Sequence, residues 1–145
     1  MSERSDRRGA PDAPAGRANV DATVLVVDDD PSVLSILRML LEDEGFGVIE
    51  AGNGVEGVSA HAAHGGVDLV VSDIDMPEMD GLELCRWLES NAEGVPVILV
   101  SGMDVDAAEI CATEASVVGF FHKPFEVASF IAMARESVAA RRASI

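Results

Sequence analysis

The chain is poor in aromatic and basic side chains, and each shortage excludes something. It has no tyrosine, one tryptophan and five phenylalanines, so aromatics make up only 4%. That leaves little for stacking on nucleic-acid bases, and aliphatic side chains must fill the interior. Lysine and arginine number 10 against 26 acidic residues, for a net charge of −16. Such a charge repels phosphate backbones and anionic lipid surfaces, which argues against nucleic acid or a membrane as a direct partner. Two cysteines, Cys85 and Cys111, are too few to staple a secreted scaffold and stand in no metal-ligand spacing. No apolar run approaches the roughly 18 residues of a membrane span, and the N-terminus lacks the apolar stretch of a secretory signal. These absences lead to the expectation of a cytoplasmic protein. A second domain within this sequence is not expected either, because 145 residues suffice for one core of about 100–150 residues.

Residues 1–22 carry four arginines and four acids among Ala, Pro and Gly with no hydrophobic period, and read as a disordered tail. The whole net charge therefore falls on the rest, with the domain expected over 23–141 and a short C-terminal end at 142–145. Short apolar runs at 24–27, 69–71, 97–100 and 117–121, the last interrupted by Gly119, suit strands buried on both faces. A weaker run at 46–49 makes five. Between them lie helical patterns. The clearest sets Val33, Ile36, Leu37, Leu40 and Leu41 on one stripe behind Asp30 as N-cap and Pro31 at the first helical position. Another stripe holds Val127, Phe130, Ile131 and Ala134, and shorter helices are expected over 54–64, 81–91 and 104–114. Strands alternating with helices imply a parallel sheet covered on both faces.

In open α/β sheets ligands bind beyond the carboxyl ends of the strands. Four of the five runs end there in a useful group: Asp28-Asp29-Asp30, Ser72-Asp73-Ile74-Asp75, Ser101-Gly102 and His122-Lys123-Pro124. Three or more carboxylates in one cleft cost several kcal/mol in repulsion and desolvation unless a cation joins them. Mg²⁺, with Mn²⁺ as the alternative, suits a few carboxylates, several waters and a substrate phosphate. Lys123, the only lysine in the chain, supplies a compact positive charge and Ser101 a hydroxyl, a set suited to a phosphoryl group.

At this point the chain resembles the receiver domain of two-component response regulators. The likeness covers 23–141 and rests on Val26-Val27-Asp28-Asp29-Asp30-Pro31, on Asp73-Ile74-Asp75-Met76-Pro77-Glu78-Met79-Asp80-Gly81, on Ser101-Gly102 and on Lys123-Pro124-Phe125. It implies a flavodoxin-like doubly wound (βα)5 α/β fold with strand order 2-1-3-4-5. It also implies phosphorylation of Asp73 by a histidine kinase or histidine phosphotransfer protein. By the same resemblance Asp29 binds Mg²⁺ directly, Asp28 reaches it through water, and the backbone carbonyl of Asp75 is a further ligand. Ser101 becomes the switch hydroxyl, Lys123 the ion-pair partner, Pro124 the residue after a cis peptide bond, and Phe120 the aromatic that moves with Ser101. The output face is expected over 104–141, where a downstream target protein would bind.

Simpler readings apply elsewhere. Asp30 reads as a helix cap, Trp87 and the methionines as packing, and His61, His64 and His122 as incidental, having no companion ligands at metal spacing. Gly52 and Gly54 read as a turn rather than a phosphate loop. The leading expectation is a stand-alone receiver that is not an enzyme beyond its own phosphorylation and autodephosphorylation. Two competing readings are a receiver cut from a larger regulator and a haloacid dehalogenase-like phosphohydrolase using Asp73-x-Asp75. The hydrolase is disfavoured by its need for acids downstream of the lysine, where this chain has only Glu126 and Glu136.

Overall fold

The computed structural model describes residues 22–92, 94–102 and 115–143. Its elements run β1 (Thr23–Val27), α1 (Pro31–Asp43), β2 (Gly47–Ala51), α2 (Gly54–His64), β3 (Leu69–Ser72), α3 (Gly81–Asn91), β4 (Val97–Ser101), β5 (Val117–His122) and α4 (Val127–Ala143). The helix expected over 104–114, Cys111 and the tail over 1–21 lie outside the described residues. The five strands pair in the order β2-β1-β3-β4-β5, every neighbour parallel.

Strand alternation divides the core in two. Leu25 and Val27 of β1 and Leu99 of β4 point to the side of α3, where they meet Leu84, Cys85 and Leu88. Val24, Val26, Ile98 and Val100 point the other way, against Leu37 and Leu41 of α1 and Phe130, Ala134 and Val138 of α4. All five apolar strand residues from Val24 to Val27 and Leu69 are fully buried, so β1 and β3 have no solvent face. Gly119 lets α4 approach β5, since an added Cβ would sit 3.2 Å from Met133 Cε.

Caps start the helices where the sequence places them. Asp30 accepts the Ser32 amide at 2.9 Å, Asn53 accepts the Glu56 amide at 2.9 Å, and Asp80 and Glu83 bond each other's backbone amides. Several expectations shift. Ile36 is 51% exposed, because the sheet-facing arc of α1 runs through Val33, Leu34, Leu37 and Leu41. Val127 is also exposed at the open first turn of α4. The second strand begins at Gly47 rather than residue 46, with Phe46 buried ahead of it. Ala22 is buried and its carbonyl accepts the Gly47 amide, and α4 continues to Ala143.

Among the described glycines, those that pack against the β3–α3 connection leave the least room for a side chain. Gly81 donates its amide to the Ile74 carbonyl at 2.8 Å, and a Cβ there would lie 2.2 Å from the Asp73 carbonyl oxygen. Gly54 fits against the same loop, its absent Cβ 2.5 Å from the Met79 carbonyl oxygen. Gly81→Ala is expected to lower stability by roughly 1–3 kcal/mol, the usual range for forced overpacking. Urea denaturation measures this, and an unchanged midpoint would show that the loop relaxes freely.

Candidate functional site

The sheet ladder carries two acids past the strand ends. The Asp28 amide donates to the Ala51 carbonyl at 3.1 Å and the Asp73 amide to the Val27 carbonyl at 2.9 Å. Both side chains are thus anchored by backbone that cannot drift. Asp28 is 2% exposed. Its Oδ1 accepts the Asp30 amide at 2.9 Å and its Oδ2 accepts Lys123 Nζ at 2.9 Å. Asp73 accepts the Ile74 amide through Oδ1 at 2.8 Å, and its Oδ2 lies 3.8 Å from Lys123 Nζ. Asp29 is exposed beside them, and one oxygen from each of Asp28, Asp29 and Asp73 lies within 4.8 Å of the others.

One ammonium faces three carboxylates, and the imbalance shows on Asp73. Burial raises its pKa above the ordinary 3.8 first, the neighbouring Asp28 raises it further, and Lys123 and the Ile74 amide only partly oppose them. Lys123 therefore sits mainly with Asp28 in this state. Hard carboxylate oxygens so close together are the donor set of a divalent cation such as Mg²⁺. Asp28 already has both oxygens engaged, which leaves Asp29 and Asp73 the freer ligands.

Ser101 is fully buried at the end of β4. Its carbonyl accepts the Lys123 amide at 2.7 Å, and the Lys123–Pro124 peptide is cis. Because Leu99 pairs with Phe120 and Ser101 with His122, alternation places Ser101, Phe120 and His122 on one face of the sheet. Phe120 is half-buried against the α3-side core. The structure thus brings Asp28, Asp29, Asp73 and Lys123 together, with Ser101 one strand away. Asp75 is exposed, and its carboxylate is not part of the acid group. Sequence reasoning missed Gly81 and Gly54 as contacts that seat the Asp73 loop; the signal was a glycine directly after a capping acid or asparagine.

A family profile described as the response regulator receiver domain matches residues 24–135. The chain belongs to that family. It is similar to the transcriptional regulatory protein GlrR of Escherichia coli K12, 37% identical over 105 residues, covering 72% of this chain and 23% of that protein. The uncharacterized transcriptional regulatory protein YkoG of Bacillus subtilis 168 is 33% identical over 115 residues, covering 79% of this chain and 50% of that protein. The receiver thus spans a quarter to a half of these curated relatives. A CheY-like response regulator receiver domain protein from Methanospirillum hungatei JF-1 superposes with a TM-score of 0.77 at 25% identity, covering 86% of this chain and 99% of that one. Among the described residues of this receiver no helix is long and apolar enough to cross a membrane. Relatives named as transcriptional regulators lend no support to the expectation that nucleic acid plays no part.

A raised pKa means that the folded receiver holds the Asp73 proton to higher pH than the unfolded chain does. Its contribution favours the native state below pH 3.8 and is lost as pH rises through the folded value, so at pH 7 the ionised carboxylate destabilises the fold. Asp73→Asn is therefore expected to melt above the wild type at pH 7 without divalent cations, and the gap should close near pH 4. Thermal denaturation at both pH values checks this, and equal melting at pH 7 would contradict it.

Proposed function

We propose that this receiver accepts a phosphoryl group on Asp73 from the phosphohistidine of a histidine kinase or phosphotransfer protein, and signals by changing its affinity for a protein partner. The observation that carries the reading is the gathering of Asp28, Asp29, Asp73 and Lys123 at the carboxyl edge of β1, β3 and β5. In the transfer, an Asp73 carboxylate oxygen forms the bond to phosphorus as the bond to the donor imidazole breaks. The leaving nitrogen keeps the electron pair. The Ile74 amide fixes one Asp73 oxygen, so the other is presented toward Lys123.

Lys123 offsets charge on the transferred group by moving from Asp28 toward its oxygens. Asp29, Asp73 and the backbone carbonyl of Asp75 would hold Mg²⁺ directly, with Asp28 acting through water. The cation supplies charge neutralisation on the phosphoryl oxygens. Ser101 donates its hydroxyl to the phosphoryl group, and Phe120 on the same face moves into the volume Ser101 leaves, since packed interiors switch between discrete arrangements. The side of β5 and α4, within the 104–141 face, is the output surface for the target protein.

The relatives' length favours the reading in which such a receiver is one part of a longer regulator over the stand-alone reading. Their names support transcription as the output. With its net charge of −16, this receiver would act there through protein contact and leave nucleic acid to another part. The phosphohydrolase reading has no support in the family assignment.

Incubation with a small phosphodonor and Mg²⁺ should add one phosphoryl group per chain, removable by hydroxylamine as an acyl phosphate is. Asp73→Asn should take up less than about a tenth as much, a barrier change of roughly 1.4 kcal/mol or more. Mass spectrometry of the intact protein reads the outcome. Equal labelling of the variant, or full labelling in excess chelator, would sink the assignment.

A further inference from the structure

The strand that delivers Asp73 ends one residue before it. β3 stops at Ser72, which pairs with Val27 of β1 and Leu99 of β4. The Asp73 amide makes the last ladder bond, to the Val27 carbonyl at 2.9 Å. The next peptide unit, the Asp73 carbonyl with the Ile74 amide, lies beyond the sheet. Among the described residues no backbone group pairs with either of its polar atoms.

The side chains of Ser72 and Asp73 take that place. Ser72 donates its hydroxyl to the Asp73 carbonyl at 2.8 Å, and the Ile74 amide donates to Asp73 Oδ1 at 2.8 Å. Carbonyl and amide belong to one planar unit, so the two bonds act in series: the hydroxyl sets the tilt of the plane, and the plane sets the carboxylate. Gly81 backs the same carbonyl oxygen, which lies 2.2 Å from where a Gly81 Cβ would be. Ser72 is itself buried, and alternation puts it on the α3 side of the sheet with Val27 and Leu99, both fully buried. A hydroxyl in such apolar surroundings costs stability unless it is bonded. Its bond goes to the one peptide that orients the acceptor carboxylate.

We propose that Ser72 is a positioning residue for phosphoryl transfer: through the 73–74 peptide, its buried hydroxyl holds the Asp73 carboxylate with Oδ1 on the Ile74 amide and Oδ2 toward Lys123, 3.8 Å away. The inference rests on the reading of Asp73 as the phosphoryl acceptor. Ser72 acts only through that peptide, because its hydroxyl is spent on the Asp73 carbonyl. With the carboxylate oriented before the donor arrives, the attacking oxygen need not be ordered during the transfer, and the barrier falls accordingly. In Ser72→Ala the plane loses its hold on the carbonyl side, and the carboxylate turns more freely away from the line of attack.

The test uses the full chain in two measurements. Intact-protein mass spectrometry follows the initial rate of labelling by acetyl phosphate with Mg²⁺. NMR follows exchange of the Ile74 amide without phosphodonor or metal, with the β3 amides 69–71 as reference. Ser72→Ala should label about threefold more slowly or worse. Its Ile74 amide should exchange about threefold faster or more while 69–71 stay protected, the mark of a local opening. Ser72→Thr, which keeps the hydroxyl, should return both towards the wild type. The positioning role is overturned if Ser72→Ala labels at the wild-type rate, if its Ile74 amide exchanges as in the wild type, if 69–71 lose protection equally, or if Ser72→Thr behaves as Ser72→Ala. A wild type that takes up no phosphoryl group would overturn the acceptor reading and this role with it, whereas normal wild-type labelling beside an unslowed Ser72→Ala would overturn this role alone.

Discussion

Carboxylates held together by a rigid backbone govern this receiver. Asp28 and Asp73 continue the ladders of β1 and β3 past the last apolar residue, so neither can move away from the other without breaking sheet hydrogen bonds. Lys123 is the single ammonium available, and it reaches Asp28 at 2.9 Å but Asp73 only at 3.8 Å. A folded protein spends stability on such an arrangement when the repulsion is to be relieved by something that binds, and under the proposed function that is a cation and a phosphoryl group. The raised Asp73 pKa is the same imbalance seen as proton affinity.

The rest of the molecule holds that edge still. Strands β1 and β3 are buried on both faces, and the two cores grip them from α3 on one side and from α1 and α4 on the other. Gly81 and Gly54 let the loop carrying Asp73 close down on α2 and α3 with no side chain between. The only described non-glycine residue at positive φ, Glu78 at 68°, lies in that loop. Chemistry is thereby placed beside a closely packed loop, while α4 is joined to other elements by the Arg135–Glu44 pair and, at its last turn, by Asp68 beside Arg141 and Arg142.

Much of this was legible in the sequence because the signals are local. Continuous Val and Leu runs read as doubly buried strands, and Asp30-Pro31 announced a helix start that the structure bears out. The acids and the lysine at strand ends pointed to one edge once a parallel sheet was inferred. What escaped depends on contacts distant in sequence. Ile36 matched the helical stripe but lies outside the arc that faces the sheet. The preference of Lys123 for Asp28 follows from side-chain reach across β1, β3 and β5.

The central claim is that the acid cluster is incomplete without a divalent cation, and thermal denaturation across a Mg²⁺ titration tests it most directly. Ligand that binds only the native state at about a hundredfold over its dissociation constant adds roughly 2.7 kcal/mol, which for a chain of this size is about 5 °C or more in Tm. The wild type should show such a rise, and Asp29→Asn and Asp73→Asn should each lose most of it. A wild-type Tm indifferent to Mg²⁺, or variants that rise as much as the wild type, would contradict the account.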